Sequence, residues 1–152
     1  MNPHRDETGL RAAIAQARLG RDEGGVPIGA ALIADDGTAL GVGRNRRVQL
    51  NSAIRHGETD ALEDAGRLPA SVYARSTMYT TLSPCDMCTG AILLYGIPRV
   101  VIGENRTFLG GEDYLRSRGV EVVVLDSAEC VGLMNEFIAA HPEVWNEDIG
   151  EA

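Results

Sequence analysis

The sequence is short of cysteines and of cationic residues, and each shortage argues against a class of protein. Three cysteines in 152 residues are too few for a disulfide framework, which a chain of this length does not need. We therefore expect a reducing, cytoplasmic location. Lysine and arginine number 14 against 22 aspartates and glutamates, for a net charge of −8. Because nucleic-acid binders present a basic face to the phosphates, this balance argues against nucleic acid and favours a small neutral substrate.

Long hydrophobic segments are also missing. No apolar run approaches the roughly 18 residues of a membrane span. The charged stretch MNPHRDETGL is followed by no hydrophobic segment, so it does not have the pattern of a secretory signal. We expect no membrane partner. Repeats and linkers are missing as well, and the 44% hydrophobic and 24% charged residues are typical of a globular protein. We expect one domain spanning residues 1–152.

Hydrophobic periodicity and turn residues predict five strands separated by helices. The segment VPIGAALIADDGTALGVGRN is predicted to form two strands joined at Asp35-Asp36-Gly37. Three more strands are predicted in STMYTTLS, RVVIGE and VEVVVLD, and helices at residues 6–20, 57–65 and 112–118 and in CDMCTGAILLYG and SAECVGLMNEFIAA. Helical crossovers would make the last three strands parallel and cover both faces of the sheet. Pro142 is expected to end the last helix, leaving a short acidic tail.

Two thiols stand three residues apart in LSPCDMCTGAIL, residues 82–93. Ser83 followed by Pro84 predicts a helix start, with the serine as cap and the proline at the first helical position. Cys85 and Cys88 then share one face of a helix N-terminus, where the helix dipole favours thiolates. This pair alone fits a redox couple, half of a structural zinc site or part of a catalytic metal site.

A structural zinc site needs four protein ligands, and the rest of the chain offers few. We interpret His4 and His141 as surface residues, and Cys130, on the apolar side of a helix, as part of the core. His56 differs from these, because the segment IRHGETDAL places it at the start of a helix, two residues before Glu58. Side chains two residues apart converge only where the chain enters the helix.

Two helix N-termini are therefore expected to point at one centre. One carries His56 and Glu58, and the other carries Cys85 and Cys88. Three ligands leave a zinc ion one position for water, whose pKa then falls towards about 7. Two thiolates weaken this effect, so a nearby proton acceptor is needed, and Glu58 is the candidate. The pattern predicts a catalytic zinc ion with a bound water or hydroxide.

The combination H-x-E followed by P-C-x-x-C is typical of zinc deaminases acting on nucleobases. The chain further resembles the fungal-type cytosine deaminases of the cytidine deaminase superfamily. The likeness runs from EGGVPIGA through HGE and TTLSPCDMCTGAI to WNEDIGE, which is most of the chain beyond the first helix. TLSPCDMCTGAI and the tail are far more specific than the bare zinc motif.

This resemblance implies a three-layer α/β/α fold with a central five-stranded mixed sheet, a homodimer and one zinc ion per subunit. By position, His56, Cys85 and Cys88 would bind zinc. Glu58 would take the proton of the water, deliver it to the ring nitrogen and later protonate the departing ammonia. The implied reaction converts cytosine to uracil and ammonia.

Substrate contacts are implied in the same way. Hydrogen-bonding groups would come from the side chain of Asn45, the N–H of Gly57, the carbonyl of Ser83 and the carboxylate of Asp148. Apolar walls would come from Ile28, Phe108 and Trp145, with residues 142–152 as a C-terminal lid. Without the resemblance, Asn45 would be interpreted as a turn residue, Phe108 and Trp145 as hydrophobic anchors and Asp148 as a solvated charge.

Several other functions fit part of the pattern. A sister deaminase acting on guanine, on another amino-azine or on tRNA adenosine would share the zinc core, and methylated or aza-substituted cytosines are also plausible substrates. A thiol–disulfide protein would use Cys85 and Cys88 but would not need His56 and Glu58. A catalytically dead zinc scaffold would not need an intact Glu58.

Overall fold

The computed structural model describes residues 3–152 and contains the five predicted strands. They are β1 (Gly29–Ala34), β2 (Ala39–Arg44), β3 (Ser76–Leu82), β4 (Arg99–Glu104) and β5 (Glu121–Val124). The helices are α1 (Pro3–Asp22), α2 (Arg47–Leu50), α3 (Gly57–Ala65), α4 (Ala70–Tyr73), α5 (Asp86–Leu94), α6 (Glu112–Ser117), α7 (Ala128–Ala140) and α8 (Pro142–Asp148). None of the helices in residues 3–152 is both long and apolar enough to cross a membrane.

The strands form one mixed sheet in the order β2-β1-β3-β4-β5. The predicted hairpin is present, because β1 pairs antiparallel with β2 and the turn at 35–38 joins them. β1 is also antiparallel to β3, whereas β3, β4 and β5 are parallel to one another. The expected helical crossovers between the last three strands are thus confirmed.

Alternate residues of the strands enter two separate cores, as the period of two in a strand requires. One core contains Ala30, Leu32, Met78, Val100 and Ile102 and is completed by residues of α3, α5 and α6. The other contains Ala31, Tyr79 and Val101 and is completed by residues of α1 and α7. The sheet therefore lies between two helical layers, and the predicted three-layer α/β/α fold is confirmed.

Two glycines of β2 allow α3 to lie directly against the sheet. A Cβ atom on Gly41 would come within 2.5 Å of the carbonyl oxygen of Ala61, and one on Gly43 would overlap the backbone of Ala61. Any larger residue would therefore push α3 away from the sheet. This close approach fixes the distance between α3, including its N-terminus, and strand β2 of the sheet.

The structure differs from the sequence prediction at the C-terminus. Pro142 ends α7 as predicted, but it also occupies the first turn of a further helix, α8, in place of the expected tail. Proline is favoured at this position because the N–H it lacks would have no partner within the helix. The short helices α2 and α4 were also not predicted, since four residues are too few to show a helical period.

Candidate active site

The predicted ligands lie at the N-termini of two helices on one edge of the sheet. His56 is the N-cap residue of α3, Cys85 is the N-cap residue of α5, and Cys88 is in the first turn of α5. The helix start predicted at Ser83 is wrong, because α5 begins at Asp86 and Ser83 does not cap it. The Ser83 hydroxyl instead donates a hydrogen bond of 2.7 Å to the carboxylate of Glu112.

Three potential ligand atoms meet at this edge. One atom each from His56, Cys85 and Cys88 lies within 4.8 Å of the others. The Nδ1 atom of His56 is 3.4 Å from the Sγ atom of Cys85 and 3.8 Å from that of Cys88. Tetrahedral zinc with ordinary Zn–N and Zn–S bonds separates its nitrogen and sulfur ligands by about 3.6 Å. The donor set therefore fits a zinc ion that keeps one coordination position for a non-protein ligand.

The charges of the cluster also suit a cation. A hydrogen bond from Cys88 lowers the pKa of Cys85 to about 4, with the His56 ring acting in the same direction and burial opposing both. Burial acts to lower the pKa of His56, but the hydrogen bond with Cys85 and the charge of Asp148 raise it to about 9. Both shifts show that the surroundings favour a negative Cys85 with a positive charge beside it, and a bound cation would take the place of the proton on the His56 ring.

Glu58 lies in the first turn of α3 and is only 4% exposed. Burial, reinforced by the nearby thiolate of Cys85, raises the pKa of this carboxyl group to about 7. A carboxyl group that titrates near neutral pH can both accept and donate a proton during one reaction. Glu58 therefore has the environment expected of a general acid and base.

A small cavity connects these groups with the C-terminal helix. Its volume is about 20 Å³, enough for about one water molecule and far below the several hundred Å³ of typical ligand pockets. It is lined by Ile28, His56, Glu58, Leu82, Ser83, Cys85, Phe108, Trp145, Asp148 and Ile149. Eight of these ten residues are among those predicted from the sequence.

Asp148 holds α8 against this cavity. Its carboxylate accepts a hydrogen bond of 2.9 Å from the Asn45 amide and lies 3.5 Å from the Nε2 atom of His56. Arg47 adds an ion pair of 3.6 Å to the same carboxylate. Asp148 is therefore largely buried, in contrast to the solvated tail charge that its position near the C-terminus would suggest.

Two predicted substrate contacts do not line the cavity. Asn45 is fully buried behind Asp148, and its side-chain oxygen accepts the N–H of Arg47. Gly57 is buried at the first helical position of α3, beside the backbone of Ile28 and Gly29. Asn45 meets the lining through its hydrogen bond with Asp148, and Gly57 directly follows the lining residue His56 in the chain.

Two aromatic side chains close the cavity. Phe108, on the loop after β4, meets Trp145 of α8 edge to face, with ring centroids 6.0 Å apart. Trp145 is 6% exposed and belongs to an apolar cluster with Val26, Leu82 and Phe137. The aromatic pair therefore joins the loop to the C-terminal helix.

The remaining histidines and the third cysteine lie outside the cluster. His4 is in the first turn of α1 and is exposed. His141, also exposed, packs against Phe137 with the two rings tilted and their centroids 5.3 Å apart. Cys130 is a core residue with 1% exposure, as its apolar position predicts.

Sequence reasoning missed Leu82, Ile149 and Arg47. Leu82 and Ile149 are ordinary apolar residues, and their only signal is that they adjoin Ser83 and Asp148. Arg47 has no local signal of a role at the site, because its partner Asp148 lies 101 residues further along the chain. Contacts between such distant residues leave no local pattern.

Comparison with known proteins places these features in context. The sequence model of the cytidine and deoxycytidylate deaminase zinc-binding region matches residues 3–104. The chain is 58% identical over 146 residues to a cytosine deaminase of Candida albicans, covering 96% of this chain and 97% of that protein. It is 34% identical over 117 residues to a tRNA-specific adenosine deaminase of Buchnera aphidicola, covering 76% and 77% respectively. A solved structure of a guanine deaminase from Nitrosomonas europaea has a TM-score of 0.72 at 24% identity, covering 88% of this chain and 84% of that one.

Proposed function

The chain belongs to the cytidine and deoxycytidylate deaminase family, a zinc-binding family, and on this premise we propose that it hydrolyses cytosine to uracil and ammonia. The observation that carries the proposal is the meeting of buried Glu58 with His56 and Cys85 in one small cavity closed by α8. The similarity to the Candida albicans cytosine deaminase supports the choice of base. Close analogues, such as methylated or aza-substituted cytosines, present the same reacting amidine.

The metal-binding residues and Glu58 have separate tasks in this reaction. His56, through Nδ1, and Cys85 and Cys88, through Sγ, would hold one zinc ion per subunit. When bound, zinc supplies a water that is acidic enough to be deprotonated near neutral pH. Glu58 accepts the proton of the attacking water and delivers it to the ring nitrogen. The oxygen of that water adds to the carbon that bears the amine. Glu58 then takes the second proton from the same oxygen and passes it to the amine, so that the C–N bond breaks, ammonia leaves and the ring carbonyl forms.

Polar groups at the edge of the sheet would orient the base. The Asn45 side chain would bind the carbonyl and the ring N–H of the base, and the N–H of Gly57 would also donate to that carbonyl. The Ser83 carbonyl and the Asp148 carboxylate would accept hydrogen bonds from its amine. The present contacts of Asp148 with Asn45 and His56 would then be exchanged for contacts with the substrate. Ile28, Phe108 and Trp145 would form the apolar walls.

We further propose that residues 1–152 form one deaminase domain in which residues 142–152 are a lid. The cavity of about 20 Å³ admits no base while α8 lies over it. Opening of α8 would admit cytosine, and closing would exclude water during the reaction. The same motion would limit product release.

A homodimer is proposed as the assembled form. Ile54, Leu94 and Tyr95 are 62%, 74% and 43% exposed and border a groove of about 670 Å³ that also contains Leu62 and Ala91. We call this surface the α3–α5 face. Exposed apolar side chains beside a groove are typical of an interaction surface. A second copy of the chain, related by a two-fold axis, would cover it on both subunits at once.

We also propose a cytoplasmic location. The three cysteines are free thiols, and two of them are the proposed metal ligands. Oxidation of that pair to a disulfide would remove two of the three donors. A reducing compartment protects such a centre.

The proposal is tested by metal analysis of the purified protein and an ammonia assay over a panel of bases. One zinc ion per subunit and rapid ammonia release from cytosine are expected. The panel also contains methyl- and aza-cytosines, guanine and a tRNA anticodon stem. Ammonia release from guanine or the tRNA alone would contradict the choice of base. A metal-free protein that reacts with thiol probes and releases no ammonia would contradict the deaminase mechanism.

A further inference from the structure

The hydroxyl group of Ser83 belongs to a buried polar chain that the proposed reaction does not use. It donates a hydrogen bond of 2.7 Å to the Glu112 carboxylate and accepts one of 2.9 Å from the N–H of Gly110. Glu112 is 3% exposed, and its other oxygen accepts a bond of 3.2 Å from the Asn105 amide. A buried carboxylate is costly unless donors surround it. These hydrogen bonds therefore hold Ser83, Asn105, Gly110 and Glu112 in fixed positions relative to one another.

These bonds hold the loop of residues 105–111 against the end of β3. The N–H of Gly111 also donates to the Pro84 carbonyl, at 2.9 Å. A Cβ atom on Gly110 would overlap the Pro84 carbonyl, so the loop backbone lies in direct contact with the Ser83-Pro84 segment. At the other end of the loop, the side chain of Thr107 is hydrogen-bonded to Glu104, which is fully buried.

The fixed loop carries Phe108, one of the walls of the cavity. Phe108 stands two residues before Gly110, and its ring is edge-to-face with Trp145 at 6.0 Å. The carbonyl of Ser83, on the same residue as the hydroxyl, is a proposed acceptor for the amine of the base. One residue thus belongs both to the polar contacts of the site and to the support of its aromatic wall.

We propose that Glu112 and the hydroxyl of Ser83 are positioning groups that set the distance between the Phe108 wall and the Ser83 carbonyl. This inference rests on the proposed function for its kinetic part. Neither group needs to touch the substrate. Their loss would let the loop move outward and widen the space for the base, which weakens substrate binding while zinc and Glu58 stay in place.

Ser83→Ala, Glu112→Ala and the double variant test this inference. Ser83→Ala keeps the carbonyl and removes only the hydroxyl. The matched control is Ser76→Ala, at the opposite end of β3, because Ser76 is also buried and its hydroxyl also donates one bond of 2.7 Å to a carbonyl. Glu112→Gln retains an oxygen that can accept from Ser83 and should restore the wild-type behaviour in large part.

The first measurement needs no substrate. Trp145 is the single tryptophan of the chain, and its contact with Phe108 makes its fluorescence a reporter of the loop. We expect Ser83→Ala and Glu112→Ala to shift its emission to longer wavelength, with zinc content unchanged and no such shift in Ser76→Ala. Emission identical to the wild type in both loop variants would overturn the inference.

The second measurement separates binding from chemistry. We expect KM for cytosine to rise about 10-fold or more in each variant with a smaller change in kcat, as for a misplaced binding wall. The double variant should be no worse than the poorer single variant, since the two groups act as one unit. Independent, multiplying effects on KM would overturn the inference, as would KM values equal to those of Ser76→Ala. If the wild type deaminates no base yet the emission shifts occur, the loop support stands and the proposed function fails.

Discussion

At the scale of single residues, Glu58 and Asp60 show how surroundings separate two carboxylates on one turn of α3. Both are buried, at 4% and 3% exposure. Burial acts to raise the pKa of Asp60, but hydrogen bonds from Arg46, the N–H of Arg44 and Arg55 outweigh it and lower that pKa. Glu58 has no arginine partner, so burial raises its pKa to about 7. Asp60 stays ionised and ties α3 to the residues beside Asn45, whereas Glu58 is able to exchange a proton.

Glu58→Gln should abolish turnover without disturbing the centre. The amide fills nearly the same space but cannot accept the proton of the water, so we expect kcat to fall by at least about 10²- to 10⁴-fold. Zinc content by atomic absorption and the unfolding midpoint should remain near the wild-type values. Glu7→Gln, at an exposed position of α1, is the control for the change of charge. Near-normal activity in Glu58→Gln would remove Glu58 from the mechanism.

Local sequence patterns predicted the three candidate metal ligands, which the structure brings together, but not the residues that support them. Cys85, Cys88 and His56 lie in short motifs. The spacing within each motif predicts which side chains lie together at the N-terminus of one helix. Ser83 was assigned as a cap because serine before a helix often is one, and the structure overturned this. Glu112, the true partner of its hydroxyl, is 29 residues away, and pairs this distant leave no periodic signal.

At the scale of elements, the carboxylate of Asp148 ties α8 to the N-terminus of α3, which carries the candidate ligand His56. Asp148 faces the Nε2 atom of His56 at 3.5 Å, on the opposite side of the ring from the two sulfur atoms. Carboxylates in this position orient a ligating imidazole and strengthen metal binding. The sequence suggested a tail charge here, because it does not show that Pro142 starts a helix that returns to the sheet edge.

Asp148→Asn should therefore affect both substrate and metal. We expect KM for cytosine to rise by about 10-fold or more, and zinc affinity in competition with a chelator to fall by about 10- to 100-fold. Zinc should still bind stoichiometrically when it is in excess. Glu147→Gln, on the next residue of α8 with 73% side-chain exposure, is the matched control. Unchanged KM together with unchanged chelator sensitivity would show that Asp148 has neither task.

A second link between elements joins α1 to the far end of the sheet. Asp6 of α1 forms two hydrogen bonds of 2.7 Å with the Arg99 guanidinium of β4 and accepts another from Tyr79. Asp6 and Arg99 are each 5% exposed. The hydrogen bonds to Arg99 lower the pKa of Asp6 despite the opposing effect of burial. Its stabilising effect is thus fully present above the unfolded-state pKa of about 3.9 and is lost as the pH falls through the folded-state value.

Asp6→Asn should destabilise the protein by about 3 kcal/mol near neutral pH, because it removes the buried charge that faces the Arg99 guanidinium and leaves the partly exposed Glu121 as its charged partner. Urea unfolding followed by circular dichroism measures the difference. The gap between variant and wild type should shrink as the pH falls below about 4. Asp113→Asn, at a fully exposed position, controls for loss of charge. A gap that persists unchanged in acid would contradict the assigned role of Asp6.

At the scale of the whole molecule, the sheet and its helical layers were more predictable from the sequence than the contacts that close the cavity. The strands alternate between two cores, and helical crossovers force β3, β4 and β5 to be parallel. These rules act along the whole chain, so they specify the three layers from sequence. The closing of the cavity depends instead on Phe108 meeting Trp145 and on Arg47 meeting Asp148. Such contacts are set by packing between distant segments, which no local rule describes.

Leu94→Lys should convert the proposed dimer to monomers. Leu94 is 74% exposed and is the most exposed of the three apolar residues that define the α3–α5 face. In a two-fold dimer each substitution occurs twice, so a loss of about 2 kcal/mol per site weakens association by about 10³-fold. Sedimentation velocity over a concentration series measures the shift. Leu19→Lys, on α1 and 47% exposed, places the same charge outside the face. A variant that sediments like the wild type, or a wild type that is itself monomeric at all concentrations, would contradict the assignment of this face.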